Sequence, residues 1–513
     1  MSMSQSSRVI KNTSYLYLKM GVTMIMSLYS TRLILSTLGA PDFGIFNVVG
    51  GAIAMLGFLN STMANATQRF MSYAEGEGVQ DKKRIIFNVS LILHVVIAVI
   101  TLALLLAIMP LLFNCVFKIE ECRVPSAKII YLCLIFSTML TIINVPYDAL
   151  INAHENMLFY SILGIIESLL KLGIAFICVY TKSDKLVIYG ILMAAIPMIT
   201  LSFMKYYCHR HYDECVIAPR RYWDRTQVKQ ISTYFGWNFL TAISSLFSAQ
   251  GIGLVLNHFF GTILNAAQGI ANQVNGVLSN FSGNMMKALN PIVVKNAGAK
   301  NIKAMNMATL IGCKYSALIT MFFAIPLALE IDFVLKVWLV EVPEWATLFI
   351  ILQLIERIIV QMANTASTEI YANGDIKHYA MWKSLMNAAP VILTWMAFKM
   401  GGSPIWLYIP MIVVWAIGGD VVIVYYAKEK CDFNTCLYIR RVVIPIIGTA
   451  SLMIIFGIFV VLFMGEGLLR LFLTCIFTSV GMFVAAVAFA VTKHEMVLFK
   501  GFVSEITKIL LSR

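Results

Sequence analysis

Apolar runs of about twenty residues alternate with short polar breaks along this chain, with no period-two alternation of the kind strands show. The runs fall near 13–37, 43–70, 85–113, 126–149, 157–180, 186–207, 230–258, 262–292, 306–330, 345–371, 379–399, 404–427, 441–464 and 467–492. That makes about fourteen runs of the length needed to cross a bilayer core roughly 30 Å thick. Backbone polar groups must be satisfied internally in hydrocarbon, which leaves helices or closed barrels. Continuous apolar runs select helices, so the expected fold class is all-α and polytopic. No break between runs is long enough to read as a soluble domain.

Composition agrees, with 59% hydrophobic and 13% charged residues, far from the balance of a soluble domain. The net charge of +13 does not gather into a basic domain, so no nucleic-acid partner is expected. It lies in alternate short loops, at Arg8 and Lys11, Lys82 to Arg84, Lys205 to Lys229, Lys295 to Lys303 and Lys428 to Arg441, and in the tail after Lys493. The opposite loops hold scattered charges such as Lys118, Arg123, Lys182, Lys185, Lys336, Lys399 and Arg470. By the positive-inside rule the rich set is cytoplasmic and both termini are expected inside. Met1 to Asn12 is polar and runs into the first span, so no cleavable leader is expected. The cysteines show no metal-ligand spacing; Cys115 and Cys122 share one outer loop, either bridged or as free thiols.

A faint repeat runs through the chain. Gly39 and Gly261 close spans one and seven at an offset of 222 (261 − 39), which also pairs Leu18 with Leu240, Met63 with Met285, Ala66 with Ala288 and Gly76 with Gly298. An even number of intervening spans makes the repeat parallel, as in alternating-access transporters. The expected organisation is a six-helix lobe with its cytoplasmic linker over 1–229, a second lobe over 230–428, and two extra helices with a tail over 429–513.

Polar side chains inside spans carry the functional information, because lipid does not tolerate them. Span eight holds Asn265, Gln268, Asn272, Asn275 and Ser279 on one helix face. Span seven holds Trp237, Thr241, Ser244, Ser245 and Ser248, and span ten holds Gln353, Arg357, Gln361, Asn364 and Thr368. Such faces serve either as interhelical hydrogen bonds or as a polar lumen. Glu167 and Lys171, four apart in span five, suit an internal ion pair or a proton or substrate site. Arg32 either snorkels or points inward, whereas Arg69, Lys287 and Lys314 sit near inner ends, where anchoring is the default. Glu356 and Asp420 are open to a coupling role, and neither has a partner legible in the sequence. His94, alone in span three, reads as a packing residue. His209 and His211, near Cys208 and Cys215, read as a solvated loop. No GxSxG, HExxH or Walker pattern occurs, so no enzyme is expected.

Several stretches have the character of a known family. They are Ser27-Leu28-Tyr29-Ser30-Thr31-Arg32, Leu38-Gly39-Ala40-Pro41-Asp42-Phe43-Gly44 and on to Gly51, and Ala64-Asn65-Ala66-Thr67-Gln68-Arg69-Phe70. Asn144-Val145-Pro146-Tyr147-Asp148 and on to Ala153, with Tyr371-Ala372-Asn373-Gly374, add to them. The chain resembles, over roughly residues 8–460, the bacterial polysaccharide-export flippases (Wzx type) of the multidrug/oligosaccharidyl-lipid/polysaccharide superfamily. The resemblance implies two six-helix lobes around a cavity that opens alternately to each side of the inner membrane. It implies a polyprenyl-pyrophosphate-linked oligosaccharide as substrate, flipped outward for O-antigen, capsule or exopolysaccharide assembly. Arg32 and Arg69, then Lys171, Lys287 and Arg357, become the cationic candidates for the pyrophosphate. Asn265, Gln268, Asn272 and Asn275 become candidates for sugar contact, and Glu167, Glu356 and Asp420 for coupling to a proton or sodium gradient. No cofactor is implied. Partners would be membrane lipid, the glycolipid, and the polysaccharide polymerase and chain-length machinery. The alternatives are a cation-coupled drug or metabolite exporter, a lipid II flippase of the same superfamily, and a membrane-embedded polymerase or ligase. The last would carry a large catalytic outer loop, and none is visible.

Overall fold

A computed structural model describes residues 3–54, 57–117, 119–339 and 341–490. The side chain of Cys115 and the tail after Lys493 lie outside the described residues, so the proposed Cys115–Cys122 bridge does too. No strand occurs among the described residues. The helices are α1 (Met3–Ala54), α2 (Gly57–Glu77), α3 (Gln80–Leu111), α4 (Val124–Ala153), α5 (Met157–Tyr180), α6 (Lys185–His211) and α7 (Arg225–Gly298). They continue with α8 (Ile302–Leu329), the short α9 (Ile331–Trp338), α10 (Ala346–Asn373) and α11 (Lys377–Lys399). The last are α12 (Pro404–Cys431), α13 (Thr435–Phe463) and α14 (Leu468–Phe489).

Within the described residues every expected run is helical, but the count of membrane spans changes. Ten helices are long and apolar enough to cross a bilayer, or eleven if Lys11–Gly39 and Pro41–Ala54 form one bent span. The expected fourteen is not confirmed by this criterion of length and composition, for identifiable reasons. Stretch 262–298 and α11 form helices that are too polar to pass, and the second expected span is divided between Pro41–Ala54 and α2. Exposed side chains such as Val99, Leu462 and Phe483 stand on the outer faces of apolar helices, as a lipid-facing surface requires.

Helix ends follow local chemistry. The side chains of Asn156, Asp184 and Asn301 cap α5, α6 and α8 by accepting from the amides of Phe159, Leu186 and Ala304. Gly374, from the Tyr371-Ala372-Asn373-Gly374 stretch, takes the left-handed conformation that ends α10.

The chain forms two compact units, which divide inside α7. One is Asn12–Phe239; the other is Leu240 onward together with the first eleven residues, and it includes α13 and α14. The repeat is visible in both. Gly39 has φ 77, ψ 163 and Gly261 has φ 77, ψ −164, a region essentially reserved for glycine, so α1 and α7 each break at the same place. The offset persists beyond the breaks: α3 starts at Gln80 and α8 at Ile302 (302 − 80 = 222), α4 at Val124 and α10 at Ala346 (346 − 124 = 222). Paired positions share burial, with Met63 and Met285 inside, Ala66 and Ala288 inside, and Leu18 and Leu240 outside.

In the N-terminal unit the arm after Gly39 packs against α4 through apolar side chains, with Phe46, Val49, Ile53, Tyr131, Leu134, Ile135 and Met139 in one cluster. In the C-terminal unit α14 docks on the end of α8 through a buried ion pair. Arg470 Nε and Nη2 donate to both Glu330 oxygens at 2.8–3.1 Å, and Thr474 adds a third donor at 2.8 Å. Arg470, read from the sequence as one of the scattered charges of the outer loops, is buried.

Candidate functional site

The polar faces of spans eight and ten meet within the C-terminal unit. Gln268 Nε2 donates to Asn272 Oδ1 at 3.3 Å, and Gln353 Nε2 donates to the same oxygen at 2.9 Å. Arg357 Nε donates to Asn275 Oδ1 at 2.7 Å, Gln361 Nε2 to Ser282 Oγ at 3.2 Å, and Thr368 Oγ1 to Asn290 Oδ1 at 3.1 Å. Tyr408 of α12 closes the row by donating to Gln268 Oε1 at 2.7 Å. Residues three or four apart on one helix face thus meet a matching row on another, forming a polar seam. Three of the four sugar-contact candidates, Gln268, Asn272 and Asn275, lie on it with Arg357. Asn265 sits half-buried one turn earlier. Asn272 remains exposed although it accepts two bonds, so one edge of the seam is open.

The face of span seven finds a different partner. Asn387 of α11 donates to Ser244 Oγ at 3.1 Å and Ser245 Oγ at 2.9 Å, and accepts from Trp415 Nε1 at 2.9 Å. These serines hold helices together, one of the two readings that the sequence left open.

Several charged groups are buried in the same unit. The charged side chain nearest in effect to Asp420 is Lys383 of α11, whose Nζ lies 5.7 Å from the centre of the Trp415 ring. The sequence reading missed Lys383, because a lysine in a weakly apolar run looks like a helix-end anchor. It also missed Glu369, which is 0% exposed beside the Thr309 hydroxyl, with no hydrogen bond of ordinary geometry to either carboxylate oxygen among the described residues. Its one available signal was position, a carboxylate only five residues before the Gly374 cap. Glu356 is buried beside Arg357, and its Oε2 has no hydrogen-bond partner among the described residues. Lys314 is buried in α8 with its Nζ 5.3 Å from the Tyr315 ring centre, and Lys287 is half-buried on α7.

In the N-terminal unit Arg69 is enclosed by aromatic rings, with its guanidinium 4.5 Å from Phe70, 4.8 Å from Tyr73 and 5.5 Å from Tyr234. Such enclosure orients a cation, and the Glu77 carboxylate also acts on it. Lys171 pairs with Glu167 at 2.7 Å, both about half exposed, and Arg32 is exposed. His94 is fully buried against the Ser90 carbonyl at 2.7 Å, as a packing residue would be.

A second cluster joins the ends of α2, α4 and α6. His154 Nε2 donates to Glu214 Oε1 at 2.5 Å, and its Nδ1 lies 3.8 Å from Glu75. These three residues offer convergent donors of the kind a metal ion uses. Glu75 is already paired with Lys83 at 2.5 Å, and Gln80 donates to Glu214 at 3.1 Å, so the arrangement is complete as an ion-pair clasp. Burial opposes ionisation of Glu214, but the hydrogen bonds from His154 and Gln80 outweigh it and hold the carboxyl down at about 2.

A family model described as polysaccharide biosynthesis protein matches residues 9–296, a stretch holding the N-terminal unit, both glycine breaks and one side of the polar seam. The chain belongs to that family. Among curated protein sequences none matches it. Solved structures similar to it include a MATE protein in complex with MaD3S, with 13% identity, 84% of this chain and 97% of that one covered, and a TM-score of 0.71. An outward-facing multidrug resistance MATE family transporter of the MOP superfamily has 13% identity, 83% and 96% coverage and a TM-score of 0.70. A MOP superfamily transporter from Pyrococcus furiosus, noted for the reverse polarity of its binding pocket, has 14% identity, 83% and 95% coverage and a TM-score of 0.66. This polysaccharide biosynthesis protein therefore has the fold of MOP transporters. Its run of long apolar helices makes it a multi-pass membrane protein.

Proposed function

We propose that the protein flips a polyprenyl-pyrophosphate-linked oligosaccharide from the cytoplasmic to the periplasmic leaflet of the bacterial inner membrane, with both termini cytoplasmic, by alternating access. The observation that carries this reading is the polar seam between 262–298 and α10. Amide and hydroxyl groups that already bond one another exchange readily with sugar hydroxyls, because each bond lost is replaced by a similar one. Arg357 on the seam and Arg69 in its aromatic enclosure suit a pyrophosphate. Lys287 and Arg32 stand as further cationic contacts, and Lys171 only if its bond to Glu167 opens. Glu356, Asp420 and Glu369 suit coupling to a proton or sodium gradient, because a buried carboxylate must either be neutral or hold a cation. No cofactor enters, and polymerase and chain-length machinery would take up the product.

Deletion of the gene and analysis of inner-membrane polyprenyl glycans tests the reading. Loss of surface polymer, with unpolymerised repeat units accumulating in the cytoplasmic leaflet, is expected. Unchanged glycans with new sensitivity to cationic drugs would instead favour export of drugs. That second reading draws on the same buried carboxylates, Glu356 and Glu369.

A further inference from the structure

Along its exposed face α6 changes character. Through its middle, Ile191, Met198, Ile199 and Phe203 stand exposed and apolar, as lipid contact requires. In the last two turns Ser202, Lys205, Tyr206, His209 and Arg210, spaced three and four apart, form one exposed face that lines a shallow, open cleft of about 510 Å³. Arg210 Nη1 donates to the Tyr206 hydroxyl at 2.8 Å, which fixes the guanidinium and leaves its other N–H groups and the tyrosine proton for an acceptor. Neither Lys205 nor Arg210 is paired with a carboxylate among the described residues, and both are exposed.

A helix apolar enough to span carries this cluster where its apolar length ends, which is the headgroup depth. Two cations and a phenol there match a phosphate, and the apolar face just above offers a path for acyl chains. The cleft lies wholly in the N-terminal unit and shares no residue with the polar seam.

We propose that this cleft binds the phosphate headgroup of an anionic phospholipid, with Lys205 and Arg210 as ligands and Tyr206 orienting the arginine. The assignment does not depend on what the protein transports. Native mass spectrometry of the full chain, titrated with phosphatidylglycerol and phosphatidylethanolamine, tests it. The Lys205→Gln/Arg210→Gln variant should retain phosphatidylglycerol ~30-fold less tightly, a factor of about five per charge, with phosphatidylethanolamine unchanged. Arg210→Lys should keep most of the preference, and an unchanged melting temperature marks the variant as folded. If the double variant unfolds, the single glutamine variants and a salt titration of the unmodified chain give the same reading. Equal retention by the unmodified chain and a folded variant overturns the proposal. So does selective displacement of phosphatidylglycerol by a polyprenyl pyrophosphate and not by cardiolipin, which would assign the cleft to a pyrophosphate lipid.

Discussion

The two units solve one packing problem with opposite chemistry. In the N-terminal unit the arm after Gly39 meets α4 through Phe46, Ile53, Tyr131, Ile135 and Met139. Adding 222 places Gln268, Asn275, Gln353, Arg357 and Gln361 at the same positions of the C-terminal unit, where they form the polar seam. The backbone break that sets up both seams is the same, at Gly39 and Gly261. An apolar seam in a membrane is held by close packing alone, since lipid solvates apolar groups equally well. A polar seam is held by directional bonds that can change partners. Repetition supplies the scaffold here, and departure from it in one unit supplies the chemistry.

The sharpest way to break the comparison is to put the polar residue into the apolar seam. Ile135→Arg buries a charge without a partner and should cost at least about 3–5 kcal/mol, enough to abolish recovery of folded protein. The double variant Ile53→Asn/Ile135→Arg recreates the Asn275–Arg357 rung and should recover part of that loss in thermal unfolding. No recovery would mean that the two seams are not equivalent.

Next in size is the ion pair found in the C-terminal unit, at Glu330 and Arg470. Arg470→Ala should lower stability by about 3–5 kcal/mol by stranding a buried carboxylate, whereas Arg123→Ala should cost about 1 kcal/mol or less. Arg123 bonds Asp42 and Asp184 at the ends of N-terminal helices, but it is partly exposed. Equal losses would contradict the burial difference.

Replacing the glycine at either break, Gly39→Ala or Gly261→Ala, should cost about 1–3 kcal/mol through backbone strain. An added Cβ would meet no atom within 4 Å at Gly261 and only Pro41 Cδ at 3.8 Å at Gly39. Similar losses at both sites would support equivalent breaks. A loss at one site alone would sink that equivalence.

The seam itself should separate stability from transport. Gln361→Leu removes one interhelical bond and should change stability by only about 0.6 kcal/mol. Arg357→Leu, although about 1.5–3 kcal/mol by loss of a charged hydrogen bond, should abolish glycolipid export in a complementation assay. Full complementation by Arg357→Leu would remove the seam from the substrate path.

The last effect is confined to acid. The Glu214 carboxyl lies at about 2, against an ordinary 4.5. Its contribution is present above pH 4.5 and is lost as pH falls through 2. His154→Ala should remove that step from acid unfolding curves; an unchanged curve would exclude the clasp as its source.

Much of this was legible without coordinates. Apolar runs determined the helices, because every backbone group in hydrocarbon needs a partner within its own helix. The offset of 222 determined the repeat from one glycine pair and a few identities. Amides at helical spacing determined which faces would be polar. Composition could not say what those faces would meet, and the outcomes differed: span eight met span ten, while span seven met Asn387. Lys383 as the neighbour of Asp420, Arg470 as the partner of Glu330 and Tyr234 beside Arg69 join residues far apart in the chain. A charge inside a membrane protein has to find a partner, and the sequence states that need residue by residue. Which partner meets it is decided by how helices pack, because that alone brings distant side chains within a few ångströms.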